Sequence, residues 1–598
     1  MASGAVPVKS PLRASIAGQI NKTLPAAHWI STYERQYLTG DITAGVITAI
    51  MLAPQAMAYA MLAGLPPQTG LYASIVPLIL YAGFGSSRTL AVGPVALVSL
   101  ITADALGSIA GQGTEAYINA ALALAIMVGL MNLALGFLRA GFLVNFMSHP
   151  VISGFTSAAA IVIGFSQLKH VLGVDLPRSH NIIEIVGNAA GMFSEFKWMT
   201  IGIAAAGVVF LVVSNGWLNG YLKSRGLSEE RAIQISRTGP LFLVLASTIA
   251  VWALALAATH GVAIVGDIPS GLPPISVPPF EPGLWRALAP TAALITLIGF
   301  LESVSVAKAL AAKRRQKIDP NREFVGLGFA NIGAAFTGGY PVTGGFSRSS
   351  VNFQAGAATP LASIITAGLI ALTVLFLTPI FYFLPKAVLA AIIITAVAGL
   401  VDWRMPKRLW RYDRAEAMSV IVTFLAVLTF GVEIGIVAGV VFSILVFLGK
   451  TAKPHIAIIG RVGTSEHFRN ILRHEVHTDP KILMMRIDEN LYFANSNYFE
   501  EQILHAMANH QSAENVVINC NAINMIDGSA MEALEALVEN LREGGVTLHL
   551  AEVKGPVMDR LLKTDFLDRL KPGKVFLSAY DAMIELESQL NANSDAVK

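Results

Sequence analysis

Long stretches without Asp, Glu, Lys or Arg dominate the first three-quarters of the chain. They run from Ile42 to Ser87, Ala116 to Leu138, Ala140 to Leu168, Trp198 to Leu222, Thr238 to Gly266, Phe324 to Ser347 and Ser349 to Pro385. Shorter ones cover Ala287 to Leu301, Ala387 to Val401, Ala417 to Val432 and Ile434 to Gly449. A helix needs ~20 residues to cross a bilayer, so the longest stretches must hold two spans each, and the whole predicts roughly twelve to fourteen helices. After Lys450 the pattern changes to short strands alternating with amphipathic helices. Strands are predicted at Ile482–Ile487, Asn515–Asn519, Val546–Ala551 and Lys574–Leu577. Helices are predicted at Ser496–Ala508, Asp527–Arg542 with Asp527 as N-cap, Val557–Leu562 and Ala582–Leu590. That is a small α/β layer domain.

Composition agrees with this division. Of 598 residues, 42 are Lys or Arg and 39 are Asp or Glu, so 14% are charged, against about 25% in an average soluble domain. The hydrophobic fraction is 54% and the mean hydropathy +0.60. An ordinary cytosolic enzyme, a disordered chain and a basic nucleic-acid binder are excluded. A single cysteine, Cys520, excludes a disulfide scaffold or a cysteine metal cluster. Residues 451–598 carry 35 charges and residues 1–450 carry 46, about 24% and about 10% of their lengths. The expected organisation is a cytosolic N-terminal segment (1–40), a transmembrane domain (41–452), a soluble domain (453–590) and a tail (591–598). Residues 1–40 are polar and long and many spans follow, so no cleaved signal peptide is expected.

Basic loops set the orientation. Lys313 to Arg322 form one, Arg404 to Arg414 another, and Lys223, Arg225, Arg231 and Arg237 a third. The loop from Gly261 to Gly283 has no Lys or Arg. With fourteen spans the basic loops follow spans 6, 8 and 12, which puts them, the N-terminus and the soluble domain on the cytoplasmic side; charge alone also admits twelve spans.

Two segments break the helical pattern, Phe84 to Ala96 and Phe336 to Ser349. Each has an aromatic residue, small residues, a short extended run and then a Gly/Pro helix start. Paired interruptions at like positions in two halves point to a transporter binding site. Extended backbone survives at mid-membrane only where it is buried or lines a cavity. Short helices starting near Gly93-Pro94 and Thr343-Gly344-Gly345 would aim free N–H groups and positive dipole ends at one cavity, which suits an anion. Arg348 adds charge and Ser347 a hydroxyl. The plainer alternative is glycine-mediated helix packing.

Glu302 lies deep in an apolar helix, where a carboxylate marks function by default. Burial favours the neutral carboxyl and a nearby arginine favours the carboxylate, so such a group can carry a proton in one state and pair with a cation in the other. A static pair with Lys308 or Arg348 is the alternative. Glu433 also lies in an apolar region, near a membrane surface or within it, and Asp104 is placed near a helix end. Gln55 and Tyr59, four residues apart, share a helix face and suit the same cavity or a plain interhelical hydrogen bond. The candidate anion-binding set is Gln55, Tyr59, Gly93, Val95, Ala96, Phe346, Ser347 and Arg348, with Glu302 for proton coupling and no metal ligands.

These pieces together resemble the sulfate permease family, also called SulP or solute carrier family 26. The resemblance is carried by Pro54 to Ala60, Gly64-Leu65-Pro66-Pro67, Gly70 to Ser74, Ala91 to Ala96, the Glu302 helix and Gly344 to Ser349. Ile318-Asp319 and Ala387 to Ala390 match plant-type sulfate transporters. The resemblance implies a polytopic α-helical membrane protein of fourteen transmembrane helices in a seven-plus-seven inverted repeat. Its core domain would move as an elevator past a gate domain. It also implies an anion held between the half-helices of spans 3 and 10 and lined by Tyr59, Ser347 and Arg348. Glu302 would be linked to protons, since sodium-coupled bicarbonate members tend to have aspartate there. A homodimer is implied by resemblance alone.

The C-terminal part resembles a STAS domain through Ile487 to Asn495, Val516 to Asn519 and Met525 to Ala530. Ser529 sits where anti-anti-sigma relatives are phosphorylated. Gly528 and Ala530 depart from the Ser and Gly common there, so the plain helix-start serine is the favoured reading. Cys520 reads as a buried strand-end thiol.

The expected function is secondary active transport of a small inorganic anion, sulfate with protons, in a plasma or bacterial inner membrane. The alternatives are sodium- or proton-coupled bicarbonate or C4-dicarboxylate transport, a STAS-linked membrane regulator with a cytosolic protein partner, or an anion conductor. No cofactor beyond a coupling proton or sodium ion is expected. With no HExxH motif, nucleophile elbow or P-loop, an enzyme is not.

Overall fold

The computed structural model describes residues 25–596, apart from 146–147, 177–181, 228–231, 233–234 and 237. Arg231 and Arg237 of the third basic loop, the first 24 residues and the Glu433 side chain lie outside the described residues. The chain parts into two compact units, Met1–Val441 and Phe442–Lys598.

The first unit is helical. Helix α1 (Leu38–Leu62) is followed by α2 (Pro67–Tyr72), α3 (Val76–Phe84), strand β1 (Val92–Gly93), α4 (Ala96–Gly107) and α5 (Glu115–Phe137). Next come α6 (His149–Ser166), α7 (Leu168–Leu172), α8 (Trp198–Val213), α9 (Gly239–Ala253) and α10 (Pro282–Lys313). Then follow α11 (Pro320–Phe336), β2 (Thr343–Gly344), α12 (Phe346–Gln354), α13 (Leu361–Leu372) and α14 (Lys386–Ala398). After them come α15 (Arg404–Tyr412), α16 (Arg414–Phe430) and α17 (Val432–Ala452), the last of which includes the division between the units at Val441. Among the described residues seven helices are long and apolar enough to cross a bilayer by length and composition, and Ala96–Gly107, Gly239–Ala253 and Lys386–Ala398 are shorter apolar helices. A fourteen-span arrangement therefore needs short and interrupted helices to serve as spans too.

Small residues bring these helices together. A Cβ at Gly129 of α5 would lie 2.9 Å from the Ile332 nitrogen and 3.0 Å from the Gly328 carbonyl of α11. A Cβ at Gly154 of α6 would lie 2.5 Å from the Val420 carbonyl of α16. Without an apolar solvent gradient to drive them together, such close backbone approach is how membrane helices gain packing energy. The outward faces stay apolar: Val209 and Val212 of α8, and Val437 and Leu445 of α17, are all more than half exposed, as a lipid-facing surface requires.

Two buried carboxylates hold the broken segments. Glu323, in the first turn of α11, accepts from Tyr81 OH at 2.7 Å, Ser86 N at 2.8 Å, Ser86 Oγ at 2.6 Å and Ser87 N at 3.0 Å, fixing the chain that enters β1. Asp41, in the first turn of α1, accepts from Ala358 N at 2.7 Å, Thr359 N at 3.0 Å and Thr359 Oγ1 at 2.6 Å, fixing the chain that leaves α12. Each uses several donors, which is what a carboxylate shielded from water needs.

The second unit is a six-stranded sheet in the order β4-β3-β5-β6-β7-β8. Its strands are β3 (Ile456–Arg461), β4 (Phe468–Asn470), β5 (Ile482–Ile487), β6 (Asn515–Asn519), β7 (Thr547–Ala551) and β8 (Val575–Phe576). Strand β3 runs antiparallel to β4 and β5, and β5 to β8 are parallel, with Leu483 opposite Val516 and Val516 opposite Leu548. Its helices are α18 (Ser496–Asn509), α19 (Gly528–Glu543), α20 (Gly555–Leu561), α21 (Phe566–Leu570) and α22 (Ala579–Ala596). Helix α22 extends past the predicted end at Leu590 into the expected tail.

Candidate functional site

The two interrupted segments meet. Strands β1 and β2 pair antiparallel, Val92 opposite Gly344 and Gly93 opposite Thr343. Helices α4 and α12 start from this crossing. Their N-caps, Val95 and Gly345, are extended and give no side-chain bond to the first turn. The first-turn N–H groups and dipole ends are thus left for a solute.

Side chains satisfy the unwound backbone around the crossing. Asn331 of α11 brackets Val342, donating from Nδ2 to its carbonyl at 2.9 Å and accepting from its N–H at 2.8 Å. Ser303 Oγ of α10 accepts from Gly344 N at 2.8 Å, and Thr343 Oγ1 donates to the Gly299 carbonyl at 2.6 Å. Ser349 Oγ accepts from Ala91 N at 2.9 Å and donates to the Gly345 carbonyl at 2.7 Å, joining one broken segment to the other. Asn352 Nδ2 donates to the Thr89 carbonyl at 3.0 Å. Non-helical backbone at membrane depth persists only with such partners.

Arg348, in the first turn of α12, is 2% exposed. Its Nη1 donates to the Pro94 carbonyl, while Nε and Nη2 have no hydrogen-bond partner among the described residues. Gly93 and Gly345 make room for it. A Cβ would fall 3.4 Å from Nη2 at Gly93 and 3.2 Å from it at Gly345, and Gly93 holds φ +153°, a backbone state that side chains disfavour. A buried cation with two unused donors fits an anionic ligand.

The cavity in front of the crossing encloses about 80 Å³, several times the roughly 10–15 Å³ that one ordered water requires. Gln55, Tyr59, Val95, Ala96, Glu302, Phe346, Ser347 and Arg348 all line it. Phe346 and Ser347 are exposed into the opening. Glu302 brings its carboxyl to the same cavity as Arg348, and its Oε2 has no hydrogen-bond partner among the described residues. Gly93 does not line the cavity; it sits behind the guanidinium and acts by leaving space there. The opposite wall, Thr156, Ala159, Ala160 and Ile163 of α6 with Ala396, Val397 and Leu400 at the end of α14, went unread in the sequence. These are small or apolar residues on apolar helices and carry no distinguishing signal.

In the second unit Asp527 caps α19 by accepting from Ala530 N at 2.9 Å, and Ser529 is exposed in the first turn. Cys520 is buried, and burial together with the Glu552 charge pushes its thiol up to about 12, so it stays protonated and unreactive near neutral pH. Burial opposes ionisation of Asp488, but hydrogen bonds from Arg486 and His455 outweigh it and hold the carboxyl below the usual range.

The sulfate permease family matches residues 38–423, and the STAS domain matches residues 473–582. The probable sulfate transporter 4.2 of Arabidopsis thaliana is 40% identical over 96% of this chain and 85% of its own length. The chloroplastic sulfate transporter 4.1 of the same plant is 39% identical over 96% and 83%. High affinity sulfate transporter 2 of Stylosanthes hamata is 32% identical over 94% and 85%. Among solved structures, the murine solute carrier 26 family member A9 anion transporter in its inward-facing state superposes with a TM-score of 0.87 at 23% identity, over 98% of this chain and 96% of that one. The transmembrane domain of a cyanobacterial bicarbonate transporter, BicA, gives 0.57 at 23% identity over 68% and 98%. Sequence, crossing and comparisons converge: the chain belongs to the sulfate permease family, a family of multi-pass membrane transporters rather than enzymes, and carries a C-terminal STAS domain.

Proposed function

We propose that this protein is a sulfate:proton symporter that works by elevator-type alternating access. One observation carries the reading: Arg348 is buried at the meeting point of two helix N-termini, with two of its nitrogens unpaired among the described residues. A small divalent oxyanion supplies the acceptors this arrangement lacks. Glu302 on the same cavity wall supplies a titratable group, and its carboxyl can take up the proton when no cation pairs with it. The names of the relatives support sulfate over other anions.

The basic loops Lys313–Arg322 and Arg404–Arg414 support a cytoplasmic location for their face, and for the N-terminus and the STAS domain, in a fourteen-span, seven-plus-seven arrangement. A homodimer and a cytosolic partner for the STAS domain complete the proposal. Ser529 is exposed to a kinase at the start of α19, though its neighbours favour an unmodified serine.

The test is labelled sulfate uptake into proteoliposomes with an imposed pH gradient. Inward protons should drive accumulation above equilibrium, and Glu302→Gln should abolish that accumulation while sparing sulfate–sulfate counterflow. Accumulation that needs sodium instead, or that survives Glu302→Gln, would refute proton coupling through this residue. Saturable binding without flux would favour a regulator, and flux without accumulation a conductor.

A further inference from the structure

The segment between α14 and α16 carries a stripe of charge that the anion cavity does not use. Helix α15 has nine residues, Arg404-Met405-Pro406-Lys407-Arg408-Leu409-Trp410-Arg411-Tyr412, and none of them is acidic. Arg404, Lys407, Arg408 and Arg411 follow the i, i+3, i+4, i+7 spacing, so they share one face of the helix along about 10 Å. All four are exposed. Among the described residues none of these four side chains takes part in a hydrogen bond or an ion pair. The opposite face holds the helix in place: Leu409 is buried against Ala417 and Val420 of α16, with Met405 beside it. Setting the orientation of the chain requires cations on this side of the membrane, but not that they line up on one helix face without partners.

Both ends of the helix are fixed as well. Asp402 Oδ1 accepts from Arg404 N at 2.9 Å and Met405 N at 3.1 Å, while the Asp402 N–H donates to Ser157 Oγ of α6 at 3.0 Å. Asp413 Oδ1 accepts from Ala415 N at 2.9 Å and Glu416 N at 3.4 Å. Residues 402–416 thus set Arg404, Lys407, Arg408, Arg411 and Arg414 against Asp402, Asp413 and Glu416, and all three carboxylates stand beyond the ends of α15. A connector between two apolar helices stays close to the membrane, yet unpaired cations cannot enter hydrocarbon, so α15 lies along the interface. Its aromatic side chains suit that depth. Trp410 lies on one flank of the stripe and Tyr412 on the other, Trp403 stands just before the helix, and all three are exposed. Trp and Tyr favour the level of the headgroups. The anions met at that level are phospholipid headgroups, and a basic amphipathic helix with four clustered cations complements them.

We propose that α15 is a binding site for the headgroup of an anionic phospholipid, gripped by Arg404, Lys407, Arg408 and Arg411. The site is separate from the anion cavity, and its test needs no flux. The full-length protein, stripped of lipid in detergent, is titrated with phosphatidylglycerol or phosphatidylcholine, and bound copies are counted by native mass spectrometry. Phosphatidylglycerol should bind its tightest site at least roughly fivefold more strongly than phosphatidylcholine, the effect of a single cation near a membrane surface. Lys407→Gln combined with Arg411→Gln should cut that preference severalfold, and Lys407→Arg combined with Arg411→Lys should keep it. The matched control is Arg315→Gln combined with Lys317→Gln, two exposed cations of another basic loop, which should leave the preference unchanged. An equal loss in both pairs would show a general attraction to basic loops and overturn the site. An unchanged preference in the Lys407 and Arg411 pair, or none in the wild-type protein, would overturn it too. Displacement of the bound lipid by millimolar inorganic phosphate would assign the stripe to a soluble anion instead.

Discussion

A guanidinium is a planar fork of donors, and among the described residues only one prong of Arg348 finds a partner. Charged hydrogen bonds contribute about 1.5–3 kcal/mol each, so Arg348→Ala should raise the half-saturation concentration for sulfate at least about tenfold. Arg348→Lys should recover only part of this, because a point charge on a flexible stem cannot reproduce the fork. Equal affinity in Arg348→Ala and wild type, read by sulfate binding to the purified protein, would remove the residue from the site.

His549 poses a different problem at the same scale. Its Nδ1 accepts from Lys574 N–H and its Nε2 faces Asn515 Oδ1, both at 3.1 Å, which fixes the neutral ring with the proton on Nε2. A second proton would point at the Lys574 N–H. Burial, then the Lys574 charge, hold the ring down to about 4 from an ordinary value of 6.5. The unfolded chain therefore takes up the proton first. This stability is complete above pH 6.5 and drains away as pH falls from there towards 4. At pH 5 protection of the β7 amides from hydrogen exchange should drop roughly thirtyfold, on the order of 2 kcal/mol, relative to pH 7.5 after correction for intrinsic rates. His549→Gln should flatten that dependence; an unchanged slope would show that another group sets it.

Among the elements, α6 offers a paired comparison. Gly154 faces the Val420 backbone of α16, whereas a Cβ at Gly164 on the same helix would meet nothing within 4 Å. Gly154→Ala must push backbone apart and should destabilise by about 1–3 kcal/mol. Gly164→Ala should be neutral or stabilising, since alanine is the better helix former. Thermal unfolding in detergent distinguishes them, and equal midpoints would mean the α6–α16 contact can loosen freely.

The elements also show what a sequence reader can see. Strands Ile482–Ile487 and Asn515–Asn519 have their observed limits in the hydropathy pattern, because a central parallel strand is a continuous apolar run with turn residues at both ends. Strands β3 and β4 were not legible. They form the antiparallel end of the sheet, β4 is three residues long, and Ile456–Arg461 begins four residues after an apolar helix ends at Ala452. The crossing could be found because Gly, Pro and a lone Arg interrupt apolar helices. The carboxylates that secure it, Asp41 and Glu323, could not: each stands at a helix start beside polar sequence, where an acidic residue is ordinary.

On the scale of the whole chain, charge is divided as function would require. The membrane unit spends its few cations on loops, on Arg348 and around α7, while the second unit is compact enough to hold its own three-layer core. In the membrane unit some buried polar groups, Asn331, Ser303, Ser349 and Asn352 among them, serve backbone that has left the helix, and small residues set distances between helices. The site therefore belongs to no single helix: α1, α6, α10, α12 and α14 each give it at least one side chain.

The short ladder between Val92–Gly93 and Thr343–Gly344, reinforced by Ser349, knits both helix tips into one piece. On the proposed reading, neither tip would release its share of a bound anion while the other kept hold. On the elevator reading proposed above, a pocket that travels whole would show its anion the same grip at either membrane face, so it could not by itself favour import over export. On that reading direction has to come from outside the grip, from the gradient proposed to act through Glu302.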